Sequence, residues 1–576
     1  MSVPRLAVWA PNAERVEACI GGGRLAMTPQ EGGWWQLPRE MTAGTDYGFS
    51  LDGGPSLPDP RSPWQPSGIE GPSRTLDHDA FAWTDAGWRA PPLGAGAVYE
   101  LHVGTFTPGG TFDTAAERLA DLAALGVTHL ELMPVAEFSG RHGWGYDGVD
   151  LYAPHHAYGG PEGMKRFVDA AHAHGLAVIC DVVYNHLGPA GNHLAKFGPY
   201  FTDRYSTPWG SAINYDDRGS EEVRRFVIDN ALMWLRDYHA DGLRLDAVHT
   251  IIDTSALHIL EEIGHEVRRL ELAVGRPLLV TVETDRNDPR LVRSTDAGGL
   301  GLDAAWNDDF HHALHALLTG ERDGYYADFG EMKHLAEALQ HGWVFRGGFS
   351  AERERRHGRE PMGVPGVRFI GYSQNHDQVG NRARGERISQ LVGIGRAKIA
   401  AAVVLTSPFV PLLFAGEEWA ASTPFPYFSD HADPQLAEAV RTGRQEEFAA
   451  FGWDSSSIPD PQDPATFQAA VLRWEERDRG THRDMLEWYR ALLALRQVTP
   501  ALLDPRLTQV DCDHEPEAGW FAIRRGGISI IFNLGPEPVT LPASGELLLA
   551  SGPRVAMDGE GLRLPPEAVA IVGSRP

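Results

Sequence analysis

The sequence predicts a multidomain α/β protein, a (β/α)8 TIM barrel with a β-sandwich at each end. Three observations lead there. Eight short apolar or β-branched runs recur through the middle of the chain; stretches with apolar residues at three- and four-residue spacing separate them; and both ends switch to short alternating runs broken by glycine and proline. At 576 residues the chain is also too long for one core, and about 100–200 residues per domain leads to three or more units.

Residues 1–90 are rich in Gly, Pro and Trp and carry the alternating runs Arg5–Trp9 and Arg15–Ile20, the pattern of a small immunoglobulin-like β-sandwich. The Pro/Gly linker Ala90–Gly94 closes it. A barrel is expected over residues 95–498, with strands in Ala97–Val103, Thr128–Met133, Leu176–Cys180, Gly242–Leu245, Pro277–Val282, Leu302–Trp306, Val367–Gly371 and Phe409–Phe414. Runs such as Leu176–Cys180 are apolar without alternation because a parallel strand of this kind is covered on both faces. Helices are expected in Thr114–Leu125, Pro161–His174, Glu221–Tyr238, Thr254–Leu272 and Ile388–Leu405. A plain barrel takes about 250 residues, so the surplus falls in elaborated loops around 186–218 and 318–366, which would shape a pocket. From 502 to 576 the runs Gly519–Arg524, Ile528–Phe532 and Ala568–Val572 predict a terminal β-sandwich.

A formal net charge of −27 disfavours nucleic acid and anionic membrane as partners, since both need a basic face. A neutral substrate fits better. Cys19, Cys180 and Cys512 lie far apart, lack metal-ligand spacing and leave one unpaired in any disulfide scheme, which points to the reducing cytoplasm. The first residues hold no sustained apolar region and no uninterrupted apolar stretch is long enough to span a bilayer, so a soluble, unexported protein is expected.

In a parallel barrel only the C-terminal strand ends reach the open face. Four segments place polar and acidic groups at such ends: Asp181–His186 (DVVYNH), Gly242–His249 (GLRLDAVH), Val280–Thr284 (VTVET) and Tyr372–Asp377 (YSQNHD). They deliver Asp246, Glu283 and Asp377. Glycosidic bond cleavage needs one acid to protonate the leaving oxygen and a second carboxylate to meet the developing oxocarbenium ion. Strand alternation points Arg244 and Asp246 to the same side, so the guanidinium keeps Asp246 ionised, as a nucleophile requires. Glu283 follows an apolar strand, where burial and neighbouring carboxylates raise its pKa and leave it the proton that a general acid requires. Asp285 and Asp288 read as solvated surface charges. His186 and His376 flank the site, where imidazole can hydrogen-bond sugar hydroxyls. Asp181, His186 and His376 show neither a His-x-x-x-His pair nor an EF-hand loop, so no metal and no cofactor is expected.

DVVYNH, GLRLDAVH, the strand around Glu283 and QNHD, in that order and spacing, resemble the four signature regions of the α-amylase family of retaining glycosidases and transglycosidases. The resemblance implies that Asp246 is the nucleophile, Glu283 the acid/base and Asp377 the group that grips the reacting sugar's hydroxyls in the transition state. Asp181, His186, Arg244 and His376 match supporting positions. Tyr146, in Gly143–Pro154 (GWGYDGVDLYAP), matches the tyrosine that stacks on the sugar ring at the cleavage point. The implied partner is an α-glucan. The N-terminal module resembles the one carried by branching enzymes and isoamylases, which implies a glycan-binding type. The calcium site of many amylases uses the asparagine equivalent to Asn185, but no set of oxygen ligands completes it here.

Longer motifs, Asn185–Asp216, Ala305–His315, Ser373–Arg387 and Phe414–His431, resemble the branch of the family that cuts the α-1,4 bond beside the terminal trehalosyl unit of a maltooligosyltrehalose. Trp209, Tyr215, Trp306 and His311, carried by these segments, are expected at the barrel mouth, holding the disaccharide that leaves. The alternative within the family is a branching enzyme, in which a sugar hydroxyl rather than water accepts the covalent intermediate. Gln378 stands where branching enzymes carry glutamate. A glycan-binding scaffold without catalysis is disfavoured by the intact set of Asp246, Glu283 and Asp377.

Overall fold

Eight parallel strands close into a barrel, with the last pairing back onto the first. They are β1 (Val98–Leu101), β2 (His129–Leu132), β3 (Ala177–Val182), β4 (Gly242–Leu245), β5 (Leu279–Val282), β6 (Ala304–Trp306), β7 (Phe369–Gly371) and β8 (Val410–Phe414). The computed structural model describes residues 2–3, 5–450 and 458–574. All eight strands fall on the runs expected from the sequence, and nearly every strand residue is buried, because helices cover the outer face and side chains fill the inner one.

Helices Gly160–Ala173, Ser220–Arg236 and Ile388–Thr406 start and stop within two residues of expectation. Two others differ. The stretch 114–125 divides into Phe112–Ala116 and Leu119–Leu125. The helix expected from Thr254 begins at Ile259, because Asp253 takes hydrogen bonds from Arg224 Nη1 (2.7 Å), Ser255 N (2.9 Å) and Ile259 N (2.6 Å) and ties the intervening residues into a loop. The long connections are structured: 186–218 holds the hairpin Phe201–Thr207/Gly210–Ile213, and 318–366 holds the helix Met332–His341.

Helix Ile388–Thr406 is long and apolar enough, on average, to cross a membrane. A search for uninterrupted apolar runs passes over it because Arg396 and Lys398 interrupt the run. Here it is a core helix: Ala397 and Ile399–Thr406 are buried as it packs against helix Gly480–Val498 and the C-terminal sheet.

The N-terminal module is made of antiparallel sheets, the two larger built on Val16–Ile20, Gly23–Ala26 and Asp46–Leu51 and on Ala7–Trp9 and Trp34–Gln36. At the C-terminal end a five-stranded antiparallel sheet faces a three-stranded one across a core that includes Ile531, Leu562 and Leu564. Both modules are tied to the barrel. Arg61 donates to Asp229 (2.9 Å) and Tyr152 (2.9 Å), and buried Arg525 donates to the carbonyls of Thr406 (2.6 Å) and Ser407 (2.8 Å).

Candidate active site

The four polar segments meet at one face of the barrel because each ends its strand on that side. Asp181 lies on β3 in register with Arg244 on β4; Asp246 and Glu283 each follow their strand by one residue; His376 and Asp377 open the short helix His376–Gly380 after β7. Arg244, fully buried, organises the centre. Its Nη1 donates to Asp181 Oδ2 (2.7 Å) and Asp246 Oδ1 (2.9 Å), its Nη2 donates to Glu283 Oε2 (2.8 Å), and its plane lies over the Trp306 ring at 4.1 Å.

One cation among three carboxyls, Asp181 and Asp246 buried and Glu283 partly buried, cannot compensate them all. Burial, followed by Asp181 among the neighbouring charges, raises the Asp246 carboxyl above its ordinary value against the pull of Arg244. The expectation that the guanidinium alone sets this charge is therefore incomplete. Glu283 is likewise raised, first by burial and then by Asp246, with Arg244 and the Ala247 N–H opposing. Ala247 adopts left-handed backbone, φ 39°, and its N–H donates to Glu283 Oε2 at 2.9 Å. Such a conformation costs an alanine about 1–2 kcal/mol, and here it turns a backbone donor onto the acid.

Asn185 Nδ2 donates to both the Asp246 carbonyl (2.9 Å) and Oδ2 (2.8 Å), while its Oδ1 meets His186 Nδ1 at 2.5 Å. Its amide thus faces the carboxylate rather than a cation cage, and these residues do not fit the calcium site of the wider family. Among the described residues one group is compact enough to ligate a metal, Glu137, His155 and His156. There Glu137 already accepts from the His156 backbone N–H (2.7 Å) and pairs with its Nδ1 (2.7 Å).

Tyr146 donates to Asp181 Oδ2 (2.6 Å) and stacks on His376, centroids 5.0 Å apart. Gly145 before it sits at φ 96°, and a Cβ there would come within 2.3 Å of the Pro134 carbonyl, so the turn that presents the tyrosine requires glycine. His376 binds Glu100 through Nδ1 (2.5 Å) and its backbone N–H (2.9 Å), and its Nε2 lies 3.5 Å from Asp377 Oδ1. Burial opposes the imidazolium, but Asp377 and then Glu100 outweigh it and lift His376 to about 9. It is cationic at neutral pH.

A cavity of about 620 Å³ opens above this centre, lined by Asp246, Glu283, Asp377, Tyr146, His186, His376 and Trp209. Trp209 is 50% exposed and stacks on His186 at 4.3 Å. Asp181 and Arg244 lie beneath the cavity rather than on its wall. Three aromatic residues expected at the mouth are not there. Trp306 fills the barrel interior under Arg244, Tyr215 donates to the Tyr184 carbonyl (2.7 Å), and His311 pairs with Tyr326 (2.9 Å). All three are buried, because their elements turn them into the core. Asp285 and Asp288 are half-buried and paired with Arg353 and Arg290 instead of being free surface charges.

Sequence reasoning missed much of the wall: Trp144, Asp147, His249, Asn381, Tyr427, His431, Leu436, Val440 and Arg444. Trp144 and Asp147 belong to the same segment as Tyr146 and could have been found by proximity. Leu436, Val440 and Arg444 repeat every four residues along helix Pro434–Ala450, a pattern indistinguishable in sequence from any amphipathic helix. Glu100 was missed because nothing local marks it.

A family model described as the catalytic domain of alpha amylase matches residues 74–200, and one described as a domain of unknown function matches residues 505–571. With the closed barrel and its cluster of carboxyls, this defines a glycoside hydrolase of the α-amylase class. The chain is 51% identical over 575 residues, 99% of each chain, to the malto-oligosyltrehalose trehalohydrolase of Arthrobacter ramosus. It belongs to the malto-oligosyltrehalose trehalohydrolase family. The crystal structure of a Salmonella typhimurium protein provisionally called an alpha amylase is 40% identical and superimposes with a TM-score of 0.92, covering 100% of this chain and 98% of that one. A 1,4-alpha-glucan branching enzyme of Pseudoalteromonas atlantica is 31% identical over 55% of this chain and 50% of its own.

Proposed function

We propose that the chain hydrolyses the α-1,4-glucosidic bond beside the terminal trehalosyl unit of a maltooligosyltrehalose, releasing trehalose and a shortened maltooligosaccharide with retention of configuration. The observation that carries this reading is Arg244, which holds Asp246 and Glu283 on neighbouring guanidinium nitrogens at the base of one cavity. Family membership supplies the substrate.

Asp246 attacks the anomeric carbon while Glu283 gives its proton to the departing glycosidic oxygen. Trehalose leaves carrying that proton, and the glycan stays as an ester on Asp246. Glu283, now a carboxylate, takes a proton from water, whose oxygen attacks the same carbon and returns Asp246 as a carboxylate. Burial of Glu283 suits it to hold a proton before the first step. Asp377 grips the sugar's hydroxyls, cationic His376 adds charge-assisted hydrogen bonds, Tyr146 stacks on the ring, and the Trp209–His186 pair offers an aromatic face to the leaving disaccharide.

We divide the chain at 1–90, 95–498 and 502–576, with the first unit a module of the glycan-binding type. We place the reaction in the cytoplasm, in a route that makes trehalose from α-glucan; three free cysteines fit a reducing compartment.

Chromatography of parallel digests of maltooligosyltrehalose, maltopentaose and amylose tests the substrate. Preferential release of trehalose is expected. New α-1,6 branches in amylose, or faster cleavage of plain maltopentaose, would overturn the assignment in favour of a transferase or a plain amylase. Trp209→Ala is expected to raise KM for maltooligosyltrehalose by about 5–30-fold with little change in melting temperature, since the indole is half-exposed and serves the ligand rather than the core.

A further inference from the structure

Helix Pro434–Ala450 stands over the cavity and presents Leu436, Val440 and Arg444 to it, one per turn. Arg444 lies over the Tyr427 ring at 4.7 Å, and its Nη1 donates to Asn381 Oδ1 at 3.2 Å. The other end of the same amide, Asn381 Nδ2, donates to Asp377 Oδ1 at 3.3 Å. An arginine can only donate and a carboxylate can only accept, so an amide held between them has a single orientation. That orientation aims its NH2 at Asp377.

His376 Nε2 approaches the same oxygen, Asp377 Oδ1, at 3.5 Å. Asp377 Oδ2 has no hydrogen-bond partner among the described residues, and the residue lines the cavity. One oxygen is anchored and the other is left for a ligand.

We propose that Asn381, oriented by Arg444, is a positioning residue for Asp377: it fixes the carboxylate rotamer so that Oδ2 faces the reacting sugar, and it couples helix Pro434–Ala450 to that carboxylate. The proposal rests on the role assigned to Asp377 above. An unanchored Asp377 still binds substrate but spends less time in the geometry that meets the transition state, so kcat falls more than KM rises.

The test compares Asn381→Ala, Arg444→Ala and the double variant on maltooligosyltrehalose, with Asp377→Asn as reference. Asn381→Ala is expected to lower kcat ~10–100-fold with KM within about threefold, and Arg444→Ala to lower it ~3–10-fold. The double variant should match Asn381→Ala within about twofold, because both side chains act through one amide. Arg444→Lys keeps a cationic donor for Asn381 Oδ1 but loses the plane that lies over Tyr427, so its kcat should fall between those of wild type and Arg444→Ala. Asn381→Asp keeps the shape and its pairing with Arg444 but replaces the donor on Asp377 Oδ1 with an acceptor, so kcat should fall at least as far as in Asn381→Ala with an unchanged melting temperature, a result that a merely structural loss would not produce. Multiplicative effects of the two alanine changes, or either Asn381→Asp or Asn381→Ala within about twofold of wild type, would overturn the proposal. If Asp377→Asn is itself within about tenfold of wild type, the role of Asp377 falls and the positioning role with it; if Asp377→Asn loses ~10³-fold or more and Asn381→Ala loses nothing, the positioning role alone falls.

Discussion

Asp246→Asn is expected to cut turnover of maltooligosyltrehalose by at least ~10³-fold while the protein still folds. The amide keeps the shape of the carboxylate and removes the charge that attacks the anomeric carbon. It also meets the wrong partners: Oδ1 accepts from Arg244 and Oδ2 from Asn185, so either orientation of the amide sets an NH2 against a donor. Arg244 retains Asp181 and Glu283, which keeps the guanidinium paired and the barrel interior intact. A second consequence follows from charge. Asp246 is among the groups that raise Glu283, so the basic limb of the residual activity should move to lower pH in the variant. Steady-state kinetics with a thermal melt in parallel check the expectation. Activity within about tenfold of wild type, in a variant that melts normally, would remove Asp246 from the mechanism.

Glu283→Gln is expected to lower turnover of the oligosaccharide by ~10²–10⁴-fold, the range that general acid catalysis contributes. Glutamine can point its oxygen at Arg244 Nη2 and the Ala247 N–H, the two donors that now meet Oε2, so the local structure survives. In the wild-type enzyme the Glu283 proton is lost as pH rises through a pKa held above the ordinary glutamate value, and activity falls with it. The variant should lack that basic limb. A glycosyl fluoride leaves without protonation, so its cleavage should recover far more than that of the natural substrate. Equal losses on both substrates, or an unchanged basic limb, would exclude Glu283 as the general acid.

The barrel strands were legible because a parallel strand leaves a local mark. Leu176–Cys180 and Pro277–Val282 are apolar or β-branched without alternation, and the change to polar residues at Asp181 and Glu283 falls within a residue of each strand's end. The cluster around Arg244 could be placed by the same argument, since Asp246 lies two residues along its own strand direction. Trp306, Tyr215 and His311 show where this reasoning stops. An aromatic residue near a strand end is as well suited to the core as to the mouth, and for these three the core took the ring: Trp306 under Arg244, Tyr215 against the Tyr184 carbonyl, His311 against Tyr326.

From sequence alone came the succession of strand and helix, the face on which the chemistry gathers and the identity of the clustered carboxyls, since each is written within a few consecutive residues. Tertiary structure decided the rest. Glu100 reaches His376 across 276 residues and adds to the pull of the adjacent Asp377 that keeps it cationic, and Arg444 reaches Asn381 across 63. Burial sets the protonation of Asp246 and Glu283 more strongly than their sequence neighbours do. The left-handed turn at Ala247 meets the Glu283 carboxyl with its N–H across the neighbouring strands β4 and β5. Periodicity and polarity act between near neighbours in the chain, whereas the charge state, the cavity wall and the aim of each side chain depend on groups that only the closed barrel brings within a few ångströms.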